Sequence, residues 1–367
     1  MKFNVDRDTF KTSLDCITKG MDMNSTIPIL SGVLITAVDS YLTLEASNTE
    51  VSIKLRVPSV IEEEGSMVIP CRLLADIINH LPSLAVQFVL EGNTCKISCG
   101  KSLYSINTFT PHDFPAFPNI IVDKEVEIPT VSLNEMISRV AVAASSDKNR
   151  GILNGVYVTI NEDTICFVTT DSTRLAVAQA HIATDINDFS VIAPSKTLRS
   201  VLMLAQDSKT ITIGLNESQI IFKFNDIIYI SRRIDGIYPA YKKLIPTTCL
   251  TTARLKMNDL YEAMQRIKPM TITNSSVNLQ IDTDLSQLVI ISNVPDQGYA
   301  REEVPIEAEG ESLSISFNSR FIFDFIQKNE SDDDIIFECD DPFKPGVFKV
   351  FGKIDFLYLM MPTNPRR

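Results

Sequence analysis

The chain has 367 residues, 44% hydrophobic and 22% charged, the composition of a folded protein with room for two or three domains. Its net charge of -12 argues against an ordinary nucleic-acid-binding surface, because phosphate contacts need Lys and Arg; a DNA reading requires positive charge gathered on one surface, or DNA held topologically. No run of about 18 apolar residues is available to span a membrane, and Met1–Asp8 lacks the apolar core of a signal peptide, so a cytoplasmic protein is expected.

In chain order, Phe10, Leu14, Ile17 and Met21 follow helical spacing and predict an amphipathic first helix. Alternation then predicts half-buried antiparallel strands over Ser40–Ser47, with Leu42, Leu44 and Ala46 inward, and over Ile53–Val57. Glu62-Glu63-Glu64 reads as a solvated turn before Gly65. Met67-Val68-Ile69-Pro70-Cys71-Arg72-Leu73-Leu74 reads as a strand running into a second helix, whose apolar face is Leu74, Ile78 and Leu81. Cys95 and Cys99 fall in a further strand, and the Pro-rich segment Pro111–Pro118 ends the first unit.

The same order recurs. Leu133, Ile137, Val140 and Ala144 repeat the first helix, and Val191-Ile192-Ala193-Pro194-Ser195-Lys196-Thr197-Leu198 repeats the strand-to-helix marker, with Leu198, Leu202 and Ala205 following. Thr210–Ile213 alternates, and Tyr238–Pro246 closes the second unit. In the third, Leu260, Met264 and Ile267 mark the first helix and Val277–Ile281 a strand. The marker returns as Ile315-Ser316-Phe317-Asn318-Ser319-Arg320-Phe321-Ile322. Asp332-Asp333-Asp334, after Glu330, reads as an exposed loop before a strand. Pro70, Pro194 and Asn318 are equivalent, 124 residues apart both times. The expected fold is α+β: three repeated domains, at 1–122, 123–247 and 248–367, each with two helices on antiparallel sheets.

Catalytic signatures are missing. No Gly-x-Gly-x-x-Gly, P-loop or Gly-x-Ser-x-Gly occurs. His80, His112 and His181 stand far apart without metal-ligand spacing, and Asp171 lacks a partner base or nucleophile, so an Asx turn suits it better. Seven cysteines, an odd number without a Cys-x-x-Cys pair, read as reduced thiols packed as small apolar groups. No enzyme active site, cofactor or metal is expected.

The chain resembles the bacterial DNA polymerase III beta subunit, the bacterial sliding clamp, from Met1 to about Pro362. The likeness is carried by Met1-Lys2-Phe3, Ile27–Gly32, Asp113-Phe114-Pro115 and Arg150–Val156. Most specific are Thr170–Ala176, Tyr238–Pro246 and Tyr358–Pro362. The resemblance implies a non-catalytic processivity factor in DNA replication. Two chains would join head to tail into a pseudo-sixfold ring, a homodimer with helices lining its hole. Twelve helices about 10 Å wide set a circle about 38 Å across, leaving a hole of about 28 Å, wide enough for duplex DNA and water. The helix segments carry ten basic against eight acidic residues in an acidic chain, so the lining is enriched in positive charge.

The implied partners are duplex DNA held without sequence readout, the replicative polymerase's catalytic subunit, the clamp loader and other clamp-motif proteins; no membrane is involved. Carried over by motif, a hydrophobic peptide-binding cleft comprises Leu153, Thr170, Ser172, Thr173, Arg174, Leu175, Pro239, Lys243, Leu244, Leu359, Met360, Met361 and Pro362. Aliphatic and Met side chains suit a pocket that accepts many motifs. Interdomain core is the alternative reading of these residues, with more weight for Leu175 and Leu359 than for Met361 and Pro362, near a chain end. Facing DNA would be Arg72, Lys148, Arg150, Lys196, Arg199 and Arg320, with Asn24 where some members have Arg. Tyr104 and Ile106 would meet the region of Ile267, Met270 and Ile272 across the dimer interface. Ser172-Thr173 departs from the family's small residue followed by His, and the tail after Pro362 is longer and basic. Two other readings stand beside this one: a β-rich scaffold that binds peptides without DNA, and a nuclease or hydrolase, which needs a clustered acid–base or metal constellation.

Overall fold

The structure is a computed structural model that describes residues 1–20, 27–184, 186, 188–272, 275–295, 297–330 and 332–363, the Lys148 side chain excepted. Met21, Asn24 and the tail from Asn364 lie outside the described residues.

One element order recurs three times, except that among the described residues the second repeat has no short strand between its third strand and the one leading into its second helix. The first repeat runs β1 (Lys2–Asp6), α1 (Arg7–Gly20), β2 (Gly32–Val38), β3 (Tyr41–Ser47), β4 (Val51–Pro58), β5 (Val60–Glu63), β6 (Gly65–Pro70), α2 (Cys71–His80), β7 (Ala85–Glu91), β8 (Thr94–Cys99) and β9 (Ser102–Asn107). The second runs β10 (Lys124–Pro129), α3 (Thr130–Val140), β11 (Gly155–Asn161), β12 (Thr164–Thr170), β13 (Arg174–His181), β14 (Phe189–Pro194), α4 (Ser195–Leu204), β15 (Thr210–Leu215), β16 (Gln219–Phe224) and β17 (Ile227–Arg232). The third runs β18 (Thr251–Lys256), α5 (Met257–Ile267), β19 (Ser276–Asp282), β20 (Gln287–Val294), β21 (Gly298–Pro305), β22 (Glu307–Gly310), β23 (Leu313–Asn318), α6 (Ser319–Ile326), β24 (Asp334–Cys339), β25 (Gly346–Val350) and β26 (Asp355–Met360).

Local chemistry explains the helix starts. Asp6 Oδ1 accepts the Thr9 N–H at 2.8 Å and caps α1. The 124-residue marker places the starts of α2, α4 and α6 directly after Pro70, Pro194 and Asn318, and Asn318 Oδ1 accepts the Arg320 N–H at 3.0 Å. The predicted stripes are inside: Phe10, Leu14 and Ile17 on α1, Leu133, Ile137 and Val140 on α3, and Leu260, Met264 and Ile267 on α5 are all buried. The predicted turn at Glu62–Glu64 is in part a strand. Val60–Glu63 forms β5, paired with β1, and Glu62 meets the Lys2 ammonium at 2.6 Å. Two opposed charges on an edge pair hide the alternation that betrays other strands.

Sheets cross the repeat boundaries. One eight-stranded sheet has the order β10-β15-β16-β17-β4-β3-β2-β6, and a nine-stranded sheet the order β14-β11-β12-β13-β26-β25-β24-β18-β22. Each joins the last strand of one repeat to the third strand after the first helix of the preceding repeat: β17 to β4, and β26 to β13. A five-stranded sheet, β5-β1-β7-β8-β9, and a four-stranded sheet, β21-β20-β19-β23, remain. The chain thus forms two compact units, Met1–Val131 with Lys196–Arg233, and Ser132–Ser195 with everything from Ile234 onward.

Aromatic packing holds each unit together. In the first, Phe88 stacks on Phe3 at 4.7 Å and takes the edge of Phe10 at 5.4 Å. In the second, Phe348 stacks on Phe337 at 4.4 Å and meets Phe325 at 5.2 Å. Such fully buried rings each contribute about 1.5–3 kcal/mol through burial.

All seven cysteines are free thiols, five of them buried, with Cys16 half-buried and Cys249 exposed. Burial pushes the Cys71, Cys95 and Cys339 thiols up to about 12, which keeps them protonated at neutral pH. Titration of the native protein with a chromogenic disulfide is expected to modify Cys249 rapidly. Cys71, Cys95 and Cys339 should react only on unfolding; fast modification of any of these three in the native state would contradict the packing.

Candidate functional site

The floor of the candidate cleft is the seam between β13 and β26. Leu175 lies opposite Leu359, and Leu359 opposite Val347 on β25, so three aliphatic side chains stand abreast on one face. Val177 and Leu357 continue that face. Leu175, Leu359 and Met360 are 1%, 3% and 0% exposed, so each is core before it is surface.

The Tyr238–Leu244 connector lies over this face. Tyr238 stacks on Tyr157 at 4.8 Å, and the Tyr241 hydroxyl sits 3.7 Å from Cys166 Sγ. Tyr238, Tyr241, Cys166, Val168, Leu175, Val347 and Leu359 form one apolar cluster. Burial raises both tyrosine hydroxyls above their usual range and keeps them neutral. Pro239, Lys243 and Leu244 on the connector are exposed, as is Met361 at the strand end. Leu153 and Pro362 are half-buried. Phe343, 71% exposed, was not singled out from sequence; its loop leads to Gly346, which pairs with Met360, placing it near the Met361 end. The signal was an aromatic between two prolines in an otherwise polar loop. A groove of about 380 Å³ lies where Tyr241, Lys242 and Ile245 meet Val177, Leu357 and Phe351.

The wall at the other end is the hairpin turn Asp171-Ser172-Thr173 between β12 and β13. Asp171 makes the expected Asx turn: Oδ1 accepts the Thr173 N–H at 2.9 Å and the Arg174 N–H at 3.1 Å. Thr170, 5% exposed, anchors it by donating from Oγ1 to the Arg174 carbonyl at 2.7 Å. Ser172 and Thr173 are exposed, and the Thr173 carbonyl accepts the Met361 N–H at 2.9 Å. The turn and the C-terminal strand end are therefore one wall.

Arg174 points away from the cleft floor, as alternation along β13 requires. Its Nε donates to Asp171 at 2.9 Å, Nη1 to Asp324 at 2.5 Å and to the Tyr358 hydroxyl at 3.0 Å, and Nη2 to the Val142 carbonyl at 2.5 Å. The guanidinium also lies 4.3 Å from the Phe321 ring centre. Only 8% exposed, it bolts the second repeat to the third. Arg139, one of the ten basic residues of the helix segments, is likewise inside: it donates to the Ile354 carbonyl at 2.9 Å and pairs with Glu135 at 2.8 Å. It adds nothing to an outward-facing basic surface.

Arg72, Lys196 and Arg320 hold the same place, the second residue of α2, α4 and α6, and all are exposed. None of the three makes an ion pair among the described residues. Arg199 is also exposed. Arg150 sits in Lys148–Asn154, two short 3-10 turns that meet at a kink at Gly151 (φ 36). Its Nη1 donates to the Asp171 carbonyl at 2.8 Å and lies 3.3 Å from Ser172 Oγ, so it reaches the cleft turn.

Of the interface residues, Tyr104 and Ile106 lie on β9, an edge strand; Tyr104 is half-buried and Ile106 is 6% exposed. Ile267 is fully buried in α5, Met270 is half-buried and Ile272 is 83% exposed.

Family profiles described as DNA polymerase III beta subunit match in chain order: the N-terminal domain over residues 1–118, the central domain over 127–240 and the C-terminal domain over 242–364. A curated relative, the beta sliding clamp of Staphylococcus aureus (strain Mu50 / ATCC 700699), is 28% identical over 375 residues, covering 99% of both chains. Among solved structures, the DNA polymerase sliding clamp from Bacillus subtilis matches with a TM-score of 0.95 at 26% identity, over 100% of each chain. The DNA polymerase III beta subunit from Thermotoga maritima matches with a TM-score of 0.90, also at 26% identity and over 100% of each chain.

Proposed function

The chain belongs to the DNA polymerase III beta subunit family, a family of non-catalytic DNA sliding clamps, and from that premise we propose how it closes and what it holds. Two copies join head to tail around duplex DNA in the cytoplasm. The cleft floored by Leu175, Val347 and Leu359 receives short peptide segments of the replicative polymerase's catalytic subunit, the clamp loader and other clamp-motif proteins.

One observation carries the closure. Each internal seam joins the last strand of a repeat to the third strand after the first helix of the repeat before it: β17 to β4, and β26 to β13. A single strand of each kind is left over, β9 and β21, and both are open edges. Pairing β9 of one copy with β21 of another completes a nine-stranded sheet on the same plan and satisfies both rows of backbone groups. Such a heterologous contact either closes or grows into a filament; the family's two-chain ring is the closed solution.

The seams also supply a register. Tyr229 lies opposite Ile53 in one and Tyr358 opposite Ala176 in the other, each tyrosine at most 1% exposed. Tyr229 donates to the Gly20 carbonyl at 2.8 Å, and Tyr358 accepts from Arg174. The equivalent residue of β9 is Tyr104, half-buried in the single chain, and its counterpart on β21 is Ala300. The β9–β21 pairing refines the interface drawn from Tyr104 and Ile106 towards Ile267, Met270 and Ile272. The β21 strand packs against α5, which carries Ile267.

Arg72, Lys196 and Arg320 supply weak phosphate contacts at one position per repeat, without base readout. Once loaded, the protein is expected to stay on nicked circular DNA through gel filtration. It should leave the same DNA within the experiment once a restriction cut frees an end. Equal retention on both forms would sink the topological reading in favour of a peptide-binding scaffold.

A further inference from the structure

We propose that Arg150 is a positioning residue of the peptide cleft, its guanidinium bracing the Asp171–Thr173 turn with Ser172 held in a left-handed backbone conformation. The inference rests on the cleft reading above and says what fixes that cleft's wall.

Ser172 has φ 78, a region that glycine enters freely and a residue with a Cβ does not. The hairpin keeps this conformation because neighbouring groups over-determine it. From inside, the Ser172 N–H donates to Thr170 Oγ1 at 3.2 Å and Asp171 Oδ1 caps the next two amides. From outside, the brace with charge behind it is Arg150: Nη1 reaches the Asp171 carbonyl at 2.8 Å and Ser172 Oγ at 3.3 Å. Arg150 is itself preset. Asp147 Oδ1 accepts the Asn149 N–H at 3.0 Å, Asp147 Oδ2 lies 3.8 Å from Arg150 Nε, and Gly151 turns the chain sharply at φ 36.

The effect reaches the pocket through one bond. The Thr173 carbonyl holds the Met361 N–H at 2.9 Å, so a relaxed turn releases the backbone beneath the most exposed apolar side chain of the strand end. This gives Arg150, a residue expected to face DNA by resemblance, a duty at the cleft.

The test is a double-mutant cycle read by fluorescence anisotropy. Labelled 15-residue peptides tiling the cognate polymerase catalytic subunit are screened on the full-length protein, and the tightest tile becomes the probe. Arg150→Ala is expected to raise the probe's Kd about tenfold, the loss of one charge-assisted brace. In the Ser172→Gly background the same Arg150→Ala change is expected to cost less than about threefold, because glycine holds φ 78 without support. A phosphate ligand or a general fold defect would not lose its effect on adding that glycine. An unchanged Kd in Arg150→Ala, or an equal loss in both backgrounds, overturns the inference. Met361→Glu separates the two levels: if it leaves the probe's Kd unchanged, the cleft reading itself has failed. Melting temperatures of all variants identify any loss that comes from unfolding, and a loss in Arg150→Ala tracked by a lowered melting temperature in both backgrounds also counts against the brace.

Discussion

Replacing Arg174 with methionine is expected to destabilise the unit that contains it by about 3 kcal/mol, the low end of the cost of stranding a buried charge partner. The side chain donates to two carboxylates, a hydroxyl and a carbonyl. Methionine preserves much of the volume against Phe321 yet supplies none of those donors. Asp171 and Asp324 remain 19% and 24% exposed, so water recovers part of the loss, which is why the upper end is not expected. Urea denaturation measures it, as a lower midpoint at unchanged slope. Lys256→Ala is the contrast: its pair with Asp334 is 61% and 73% exposed, and the midpoint should hardly move. A midpoint for Arg174→Met as high as that of the wild type would show that Arg174 adds nothing to the β13–β26 ladder and the Arg139–Ile354 contact in joining the second and third repeats.

Tyr104→Asp is expected to weaken self-association at least about 100-fold, a central hot-spot loss compounded by a buried unpaired carboxylate. Sedimentation velocity at micromolar concentration should report a species of single-chain mass, and retention on circular DNA should vanish with it. Tyr104 is half-buried and belongs to a strand with no neighbour on one side, so the single chain should keep its fold. Ile106 is a poorer probe: at 6% exposure it serves its own sheet first, and a charge there damages the monomer. A stable Tyr104→Asp dimer would mean that the copies meet elsewhere than at β9.

Local pattern made much of this fold legible. The 124-residue marker located the starts of α2, α4 and α6, and alternation located β3, β4, β15 and β19. These signals depend on neighbours in sequence. What stayed hidden depends on residues far away. Arg139 sits beside the apolar stripe of α3 and reads as an ordinary helix cation. It is buried because Ile354 and Phe356, more than two hundred residues on, close over it. Arg174 belongs by motif to the proposed cleft with its neighbours, but strand alternation turns it to the opposite face, where α6 meets it. The segments that build the proposed cleft were visible as motifs. Their division into core (Leu175, Leu359, Met360) and accessible rim (Leu244, Met361, Pro239) was not, because it depends on where the connector lies.

The shared sheets carry a lesson for anyone cutting this chain apart. The sequence repeats by thirds, yet hydrogen bonding runs across every boundary between thirds, and the middle third contributes strands to both units. An excised repeat would carry two raw flanks and solve them by polymerising with its own kind. Chimaeras between relatives should therefore exchange a whole unit, Met1–Val131 together with Lys196–Arg233, so that β4 travels with β17 and β13 stays with β26.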